Sequence, residues 1–197
     1  MAWPEPIILS GERAVMAPLG LEHAPGLAEA VKDGELWRLW YTRAPHWNEV
    51  DANIAMRLDK QAKGSMLPFV VLAADGVTPV GMTSYCNIDA ENLRLEIGYT
   101  WYRRSVQRTG LNTECKLMLL RHAFEALDCI AVELRTSFFN QQSRRAIERL
   151  GARLDGVLRS HSRNPDGSLR DTCVYSITAA EWPAVRTHLQ WLLDKPR

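Results

Sequence analysis

From Leu67 to Ala74 nearly every position is apolar, a run the length of a buried strand. Around it the pattern predicts strands over 68–74, 80–88 and 93–101. The turns between them are Asp75–Pro79 and Asp89–Asn92. Upstream, Ile7–Leu9, a turn at Gly11–Glu12, and Ala14–Leu19 predict a short strand or hairpin. Residues 21–32 and 34–42 read as two helices broken near Asp33–Gly34. Residues 48–63 read as another, with Val50, Ile54 and Leu58 at helical spacing and Gly64 as the stop. Further on, Leu111, Cys115, Met118, Leu119, His122, Ala123 and Ala126 mark the apolar face of a helix over 111–127. A strand at 130–136 and a helix at 141–150, closed by Gly151, follow. Strands at 153–163 and 169–177 flank the turn Asn164–Pro165–Asp166–Gly167–Ser168, and a last helix covers 180–193. The order is an antiparallel meander, then strand–helix–strand–helix, then a hairpin. This is a mixed α/β (α+β) chain. With no repeat and no linker, residues 1–197 read as one domain with a core over about 10–178.

Composition narrows the class. The 197 residues are 46% hydrophobic and 24% charged, which excludes a disordered tail or a fibrous repeat. No apolar run approaches the ~20 residues of a membrane span. Met1–Pro6 lacks a basic segment followed by an apolar one, so no export signal is read. Cys86, Cys115, Cys129 and Cys173 are scattered without a CxxC pair and read as small buried hydrophobes in a reduced, cytoplasmic setting. His23, His46, His122, His161 and His188 show no HxxxH or HExxH spacing, so no metal is expected.

Charge adds one clue. The net charge is +1, yet arginines outnumber lysines 19 to 5, and residues 94–170 hold 14 Lys and Arg against 8 Asp and Glu. Arginine forks suit phosphate. A near-neutral chain with a local arginine excess points to a small phosphorylated ligand more than to nucleic acid, which needs a broadly basic face. Glu96 to Glu114 is the most informative stretch: a strand end, a polar basic loop with Arg103, Arg104 and Arg108, and a helix start at Gly110–Thr113. Helix N-termini present unpaired N–H groups to an anion, so the loop reads as a pyrophosphate cradle. It reads equally as an ordinary helix start capped by Asn112 or Thr113. GxxxxGK[ST], GxGxxG and GxSxG are all absent.

Gln107–Arg108–Thr109–Gly110–Leu111–Asn112 resembles the (Gln/Arg)-x-x-Gly-x-(Gly/Ala) signature of the GCN5-related N-acetyltransferases. Glu96–Tyr99 before it, Thr113–Glu114 after it, and Asn140–Ile147 leading to Leu150–Gly151–Ala152 fit the same family. So do Asp155–Arg159 and Pro165–Asp166–Gly167. The likeness is to the RimJ/RimL-like branch, which modifies ribosomal protein N-termini, and it covers residues 10–178. Two departures stand out. Asn112 occupies a Gly/Ala position, and Ser162, beside His161, occupies the place of a glutamate assigned as general base in the RimL-like branch.

The resemblance implies a mostly antiparallel twisted sheet of about seven strands flanked by helices. Its central parallel pair, at 93–101 and 130–136, would splay. It implies acetyl-CoA and no metal. Backbone groups of Gln107, Arg108, Thr109, Gly110, Leu111, Asn112 and Thr113 would hold the pyrophosphate. Thr100, Trp101 and Tyr102 would pair with the pantetheine amides, and Asn140 and Ser143 would contact the arm near sulfur. For attack of an amine on a thioester, Glu96 is the candidate base, or else a structural hydrogen-bond acceptor. The N–H near Trp101 is the oxyanion donor. Ser143 is the candidate acid, or else a helix cap. Trp37, Trp40, Tyr41 and Trp47 read as core packing or as a wall of the acceptor site, with Arg159, His161 and Arg163 lining the same cleft. The acceptor would be a peptide N-terminus or small amine. A CoA-binding sensor or assembly module without turnover is the alternative. The 153–177 hairpin and final helix could present an edge to a second copy, giving a homodimer.

Overall fold

The computed structural model describes residues 3–164 and 166–195. Pro165 of the expected hairpin turn, and Met1 and Ala2 of the N-terminus, lie outside the described residues. One eight-stranded sheet runs through the molecule in the order β1-β2-β3-β4-β5-β6-β8-β7. The strands are β1 (Leu9–Ser10), β2 (Ala14–Pro18), β3 (Met66–Ala73), β4 (Pro79–Asp89), β5 (Arg94–Tyr102), β6 (Ala131–Ser137), β7 (Arg153–Arg163) and β8 (Leu169–Thr178). All neighbours pair antiparallel except β5 and β6. The apolar run from Met66 to Leu72 is buried throughout, as expected of a strand covered on both faces. The expected seven strands become eight because the two-residue β1 pairs with β2.

Helices α1 (Ala24–Lys32) and α2 (Val50–Ala62) pack on one face over Val70, Leu72, Met82 and Trp101. Helices α3 (Leu111–Arg121) and α5 (Trp182–Asp194) cover the other, over Phe69, Tyr85, Leu95 and Ile97. Helix α4 (Gln141–Glu148) follows β6. The four cysteines are buried, as expected. Among the described residues no helix is long and apolar enough to cross a membrane. None of them form a group of three or more His, Cys, Asp or Glu able to hold a metal.

Three expectations are corrected. The helix at 34–42 is one 3-10 turn at Leu36–Arg38, because Gly34 (φ 105°) and Glu35 (φ 46°) adopt left-handed backbone and Thr42 Oγ1 donates to the carbonyls of Leu36 and Leu39. Helix 111–127 keeps α geometry only to Arg121, then widens into a π turn at His122–Ala126. The first strand starts at Leu9 rather than Ile7, since only Leu9 and Ser10 find partners on β2.

Candidate active site at the splayed strands

The parallel ladder of β5 and β6 holds only three pairs: Arg94 with Ala131, Leu95 with Val132, and Glu96 with Glu133. Beyond Glu96 the strands part. Strand β5 continues to Tyr102 along β4, and β6 continues to Ser137 along β8. Their facing edges therefore leave a V-shaped gap whose backbone groups have no strand partner. Such an edge ordinarily recruits a further extended segment.

Glu96 stands at the vertex of the V. Its Oε2 accepts a hydrogen bond from Asn87 Nδ2 at 2.6 Å and lies 3.5 Å from Arg135 Nε. A Cβ on Gly98 would come within 2.6 Å of Glu96 Oε1, so a side chain there would displace the carboxylate. Burial pushes the Glu96 carboxyl above its ordinary value, and Arg135 and Asn87 oppose that push only in part.

One residue past Gly98, β5 is kinked. Tyr99 is left-handed (φ 52°), and the register with β4 shifts between Met82 and Ser84. Arg57 of α2 holds this bulge. Its Nη2 donates to the Tyr99 carbonyl and its Nη1 to Ser84 Oγ, each at 3.0 Å, while Nε donates to Asn53 Oδ1 at 2.9 Å. On the opposite face, fully buried Lys116 of α3 donates to Thr100 Oγ1 at 3.0 Å. Burial lowers Lys116 to about 8 and Arg57 to about 10. Neither residue was expected from sequence. The signal was their helical phase: Arg57 follows Val50 and Ile54, and Lys116 precedes Leu120 and Ala123.

The basic loop ends at Gly110, left-handed (φ 101°), which caps α3 without a side chain. The expected cap by Asn112 or Thr113 is thereby corrected, because α3 begins at Leu111, two and three residues too early for them to act. The first-turn N–H groups of Leu111, Asn112 and Thr113 have no intrahelical carbonyl. The Leu111 side chain lies in the core, and the Thr113 hydroxyl accepts from Arg149 Nη2 at 3.1 Å, so what these two offer a ligand is backbone. Thr109 Oγ1 donates to the Val106 carbonyl at 2.7 Å, and Gln107 Nε2 to the Tyr102 carbonyl at 2.9 Å. Those bonds fix the loop's shape. A cleft of about 320 Å³ opens here, lined by Gly34, Leu36, Arg104, Gln107, Arg108 and Gln142. Asp33 ties its rim, accepting from Arg103 Nε at 2.9 Å and from the Ser105 amide at 3.1 Å.

At the far side of the V, Asn140 Oδ1 accepts from the Ser143 amide at 3.0 Å and caps α4. The cap is thus Asn140, leaving the partly exposed Ser143 hydroxyl for other work. The side chains of Trp101 and Tyr102 pack into opposite cores, so what they offer the V is backbone, less the Tyr102 carbonyl that Gln107 Nε2 already occupies. Trp37 packs against the α1/α2 core, whereas Trp40 is half exposed and meets Tyr41 at 5.6 Å and Phe139 at 5.3 Å between ring centroids. Phe138 and Phe139, exposed at the end of β6, escaped the sequence reading. Exposed His161 shares a hydrogen bond with Thr172 Oγ1.

A strand pair that parts beside a glycine-capped helix start is what the sequence signature implied. Residues 13–153 match the family model described as "Acetyltransferase (GNAT) domain". The chain belongs to the GCN5-related N-acetyltransferase family. A solved structure from T. thermophilus, provisionally described as an acetyltransferase, superposes with a TM-score of 0.84 at 33% identity over 97% of this chain and 99% of that one. YdaF of Bacillus subtilis strain 168, which carries the provisional name of a ribosomal N-acetyltransferase, is 32% identical over 102 residues. That alignment spans about half of each protein, 52% of this chain and 55% of YdaF. Mycobacterium smegmatis RimJ in complex with CoA-disulfide shares the fold, with a TM-score of 0.78 at 22% identity over 97% of this chain and 96% of that one. The RimJ/RimL-like resemblance and the GNAT-type sheet with its splayed parallel pair are thus borne out.

Proposed function

We propose that the chain, working as one acyltransferase domain, transfers the acetyl group of acetyl-CoA to a primary amine, a peptide N-terminus or small molecule, by direct attack in a ternary complex. The parting of β5 from β6 carries this reading. It leaves unpaired strand edges inside the protein, where an amide-bearing pantetheine arm would complete the pairing. The glycine-capped start of α3 and the cleft lined by Arg104 and Arg108 offer N–H groups and positive charge to a pyrophosphate. These residues fit the coenzyme: Gln107 to Thr113 at the phosphates, Thr100 to Tyr102 along the arm, Asn140 and Ser143 nearer the sulfur.

Acetyl-CoA supplies an activated acyl group. The protein's own contribution is proton management and charge stabilisation. Glu96, in part desolvated and raised in pKa, takes the proton that the attacking amine must lose. The N–H near Trp101 faces the negative charge developing on oxygen. The Ser143 hydroxyl would donate a hydrogen bond to the departing thiolate, and the proton that Glu96 took from the amine would return through solvent to that sulfur, which closes the proton balance. Trp40, Tyr41 and Trp37 would wall the acceptor, with His161 at its edge.

CoA binding without turnover is a second reading. It draws on Ser162, a group of negligible basicity where the RimL-like branch has a glutamate. Titration of CoA and release of free thiol from acetyl-CoA with a panel of amines separate the readings. Heat with thiol release supports the enzyme, heat alone the sensor, and no heat overturns both.

A further inference from the structure

Two arginines far apart in sequence meet above the β7–β8 hairpin. Arg43, just past the segment expected as the second helix, donates from Nη2 to Ser162 Oγ at 3.4 Å. Ser162 is the ladder partner of Arg170. Arg170 donates from Nε to Thr172 Oγ1, also at 3.4 Å. Both bonds are long for N–H to oxygen. Eight other arginines have a carboxylate within 4.0 Å. Arg43 and Arg170 belong to the group of described arginines that have none, and they are the two of it that sit side by side at Ser162.

Register places this pair on the same face of the sheet as the vertex. Residues directly opposite in a ladder share a face. Glu96 pairs with Glu133, Arg135 with Val174, and Arg170 lies at the same parity of β8 as Val174. The charges sense one another. Arg170 is lowered first by burial and then by Arg43, and Glu96 pulls the other way. Two like charges held together, one of them half buried, cost free energy that an arriving anion would relieve. The guanidinium fork matches a carboxylate in particular.

We propose that Arg43 and Arg170 form a carboxylate subsite of the acceptor site, so that the preferred acceptor is a primary amine carrying a carboxylate close to the amine. This rests on the reading above. The carboxylate could belong to an acidic residue behind a peptide N-terminus or to the α-carboxylate of an amino acid.

The test is calorimetric titration of protein saturated with CoA, using amidated Ser-Asp-Ala against amidated Ser-Asn-Ala, and serine against serinamide. The acidic member of at least one pair binds about tenfold more tightly, the scale of one charge-assisted hydrogen bond. The responsive pair identifies the source. Arg43→Gln and Arg170→Gln abolish the preference, and Arg170→Lys keeps part of it, with CoA affinity and melting temperature unchanged. Equal binding within both pairs, or a preference that survives both glutamine variants, overturns the proposal. CoA binding is titrated first, so failure of the coenzyme reading shows separately from failure of this one.

Discussion

Two buried cations flank β5, and they are not equivalent. Arg57, on the α2 face, meets three acceptors and pins the bulge at Tyr99. Lys116, on the α3 face, has three donors and one acceptor, Thr100 Oγ1. Burial weakens both charges, to about 10 for Arg57 and about 8 for Lys116. The difference shows which face of the sheet is organised for chemistry. The Arg57 face also carries Glu96 with Asn87 and Arg135, so charge there is paired and aimed. The Lys116 face is a hydrophobic core that tolerates one poorly satisfied ammonium.

The strongest way to break this comparison is at Glu96. Glu96→Gln keeps the shape and removes the base, so turnover should fall by roughly 10²–10⁴-fold with CoA affinity unchanged. In the wild-type protein the acid limb of the rate profile should fall as pH drops through a value above an ordinary glutamate's, because burial raises this carboxyl. Unchanged turnover in the variant would leave Glu96 as a hydrogen-bond acceptor and remove the chemical contrast between the two faces.

Arg57→Met comes next. It strips the donors from the Tyr99 carbonyl and Ser84 Oγ, but it also relieves the burial of a guanidinium. Stability should therefore change little, by about 1 kcal/mol. The bulge that shapes the edge of β5 loses its clamp, and CoA affinity should drop about tenfold in calorimetry. Arg57→Lys, able to serve one acceptor at a time, should recover part of it. A large fall in melting temperature with CoA affinity intact would make Arg57 a core strut instead.

What could be read from sequence follows the same division. The strand Met66–Ala73 was legible because burial on both faces demands an unbroken apolar run, the next two because turns at Asp75–Pro79 and Asp89–Asn92 delimit them, and the loop before α3 because its signature is local. The segment at 34–42 misled, since Leu36, Trp37 and Trp40 imitate helical spacing while the left-handed Gly34 and Glu35 break the backbone. Arg57 and Lys116 were hidden by the ordinary expectation that charged side chains face water. Their helical phase showed otherwise, but only neighbours on β4 and β5 reveal what each one grips. The meeting of Arg43 with the Ser162–Arg170 pair joins segments more than a hundred residues apart, and no local pattern encodes it.

A further effect, opposite in sign and on stability rather than on turnover or binding, belongs to Lys116→Met. A lowering from 10.5 to about 8 corresponds to about 3 kcal/mol of burial cost while the ammonium is charged. Losing the bond to Thr100 returns about 1 kcal/mol, so the variant should be more stable at pH 7 by about 2 kcal/mol in denaturant melts. The sign of the pH dependence follows from proton counting. Between about 8 and 10.5 the unfolded chain holds this proton and the folded chain does not, so wild-type stability gains on the variant as pH rises. The variant's advantage should thus be full below pH 8, cross zero as pH rises, and become a deficit of about 1 kcal/mol toward pH 10.5, where only the lost bond to Thr100 remains. Tyr85, Tyr102 and Cys129, all raised by burial, erode both proteins alike in that range, whereas Cys86 and Cys115, also raised by burial, feel the Lys116 charge and add their own part to the difference between the two melts, which is the quantity to follow. An advantage that stays constant with pH would mean that Lys116 is neutral or better solvated than its surroundings allow, and the two faces of β5 would then differ in chemistry but not in electrostatic cost.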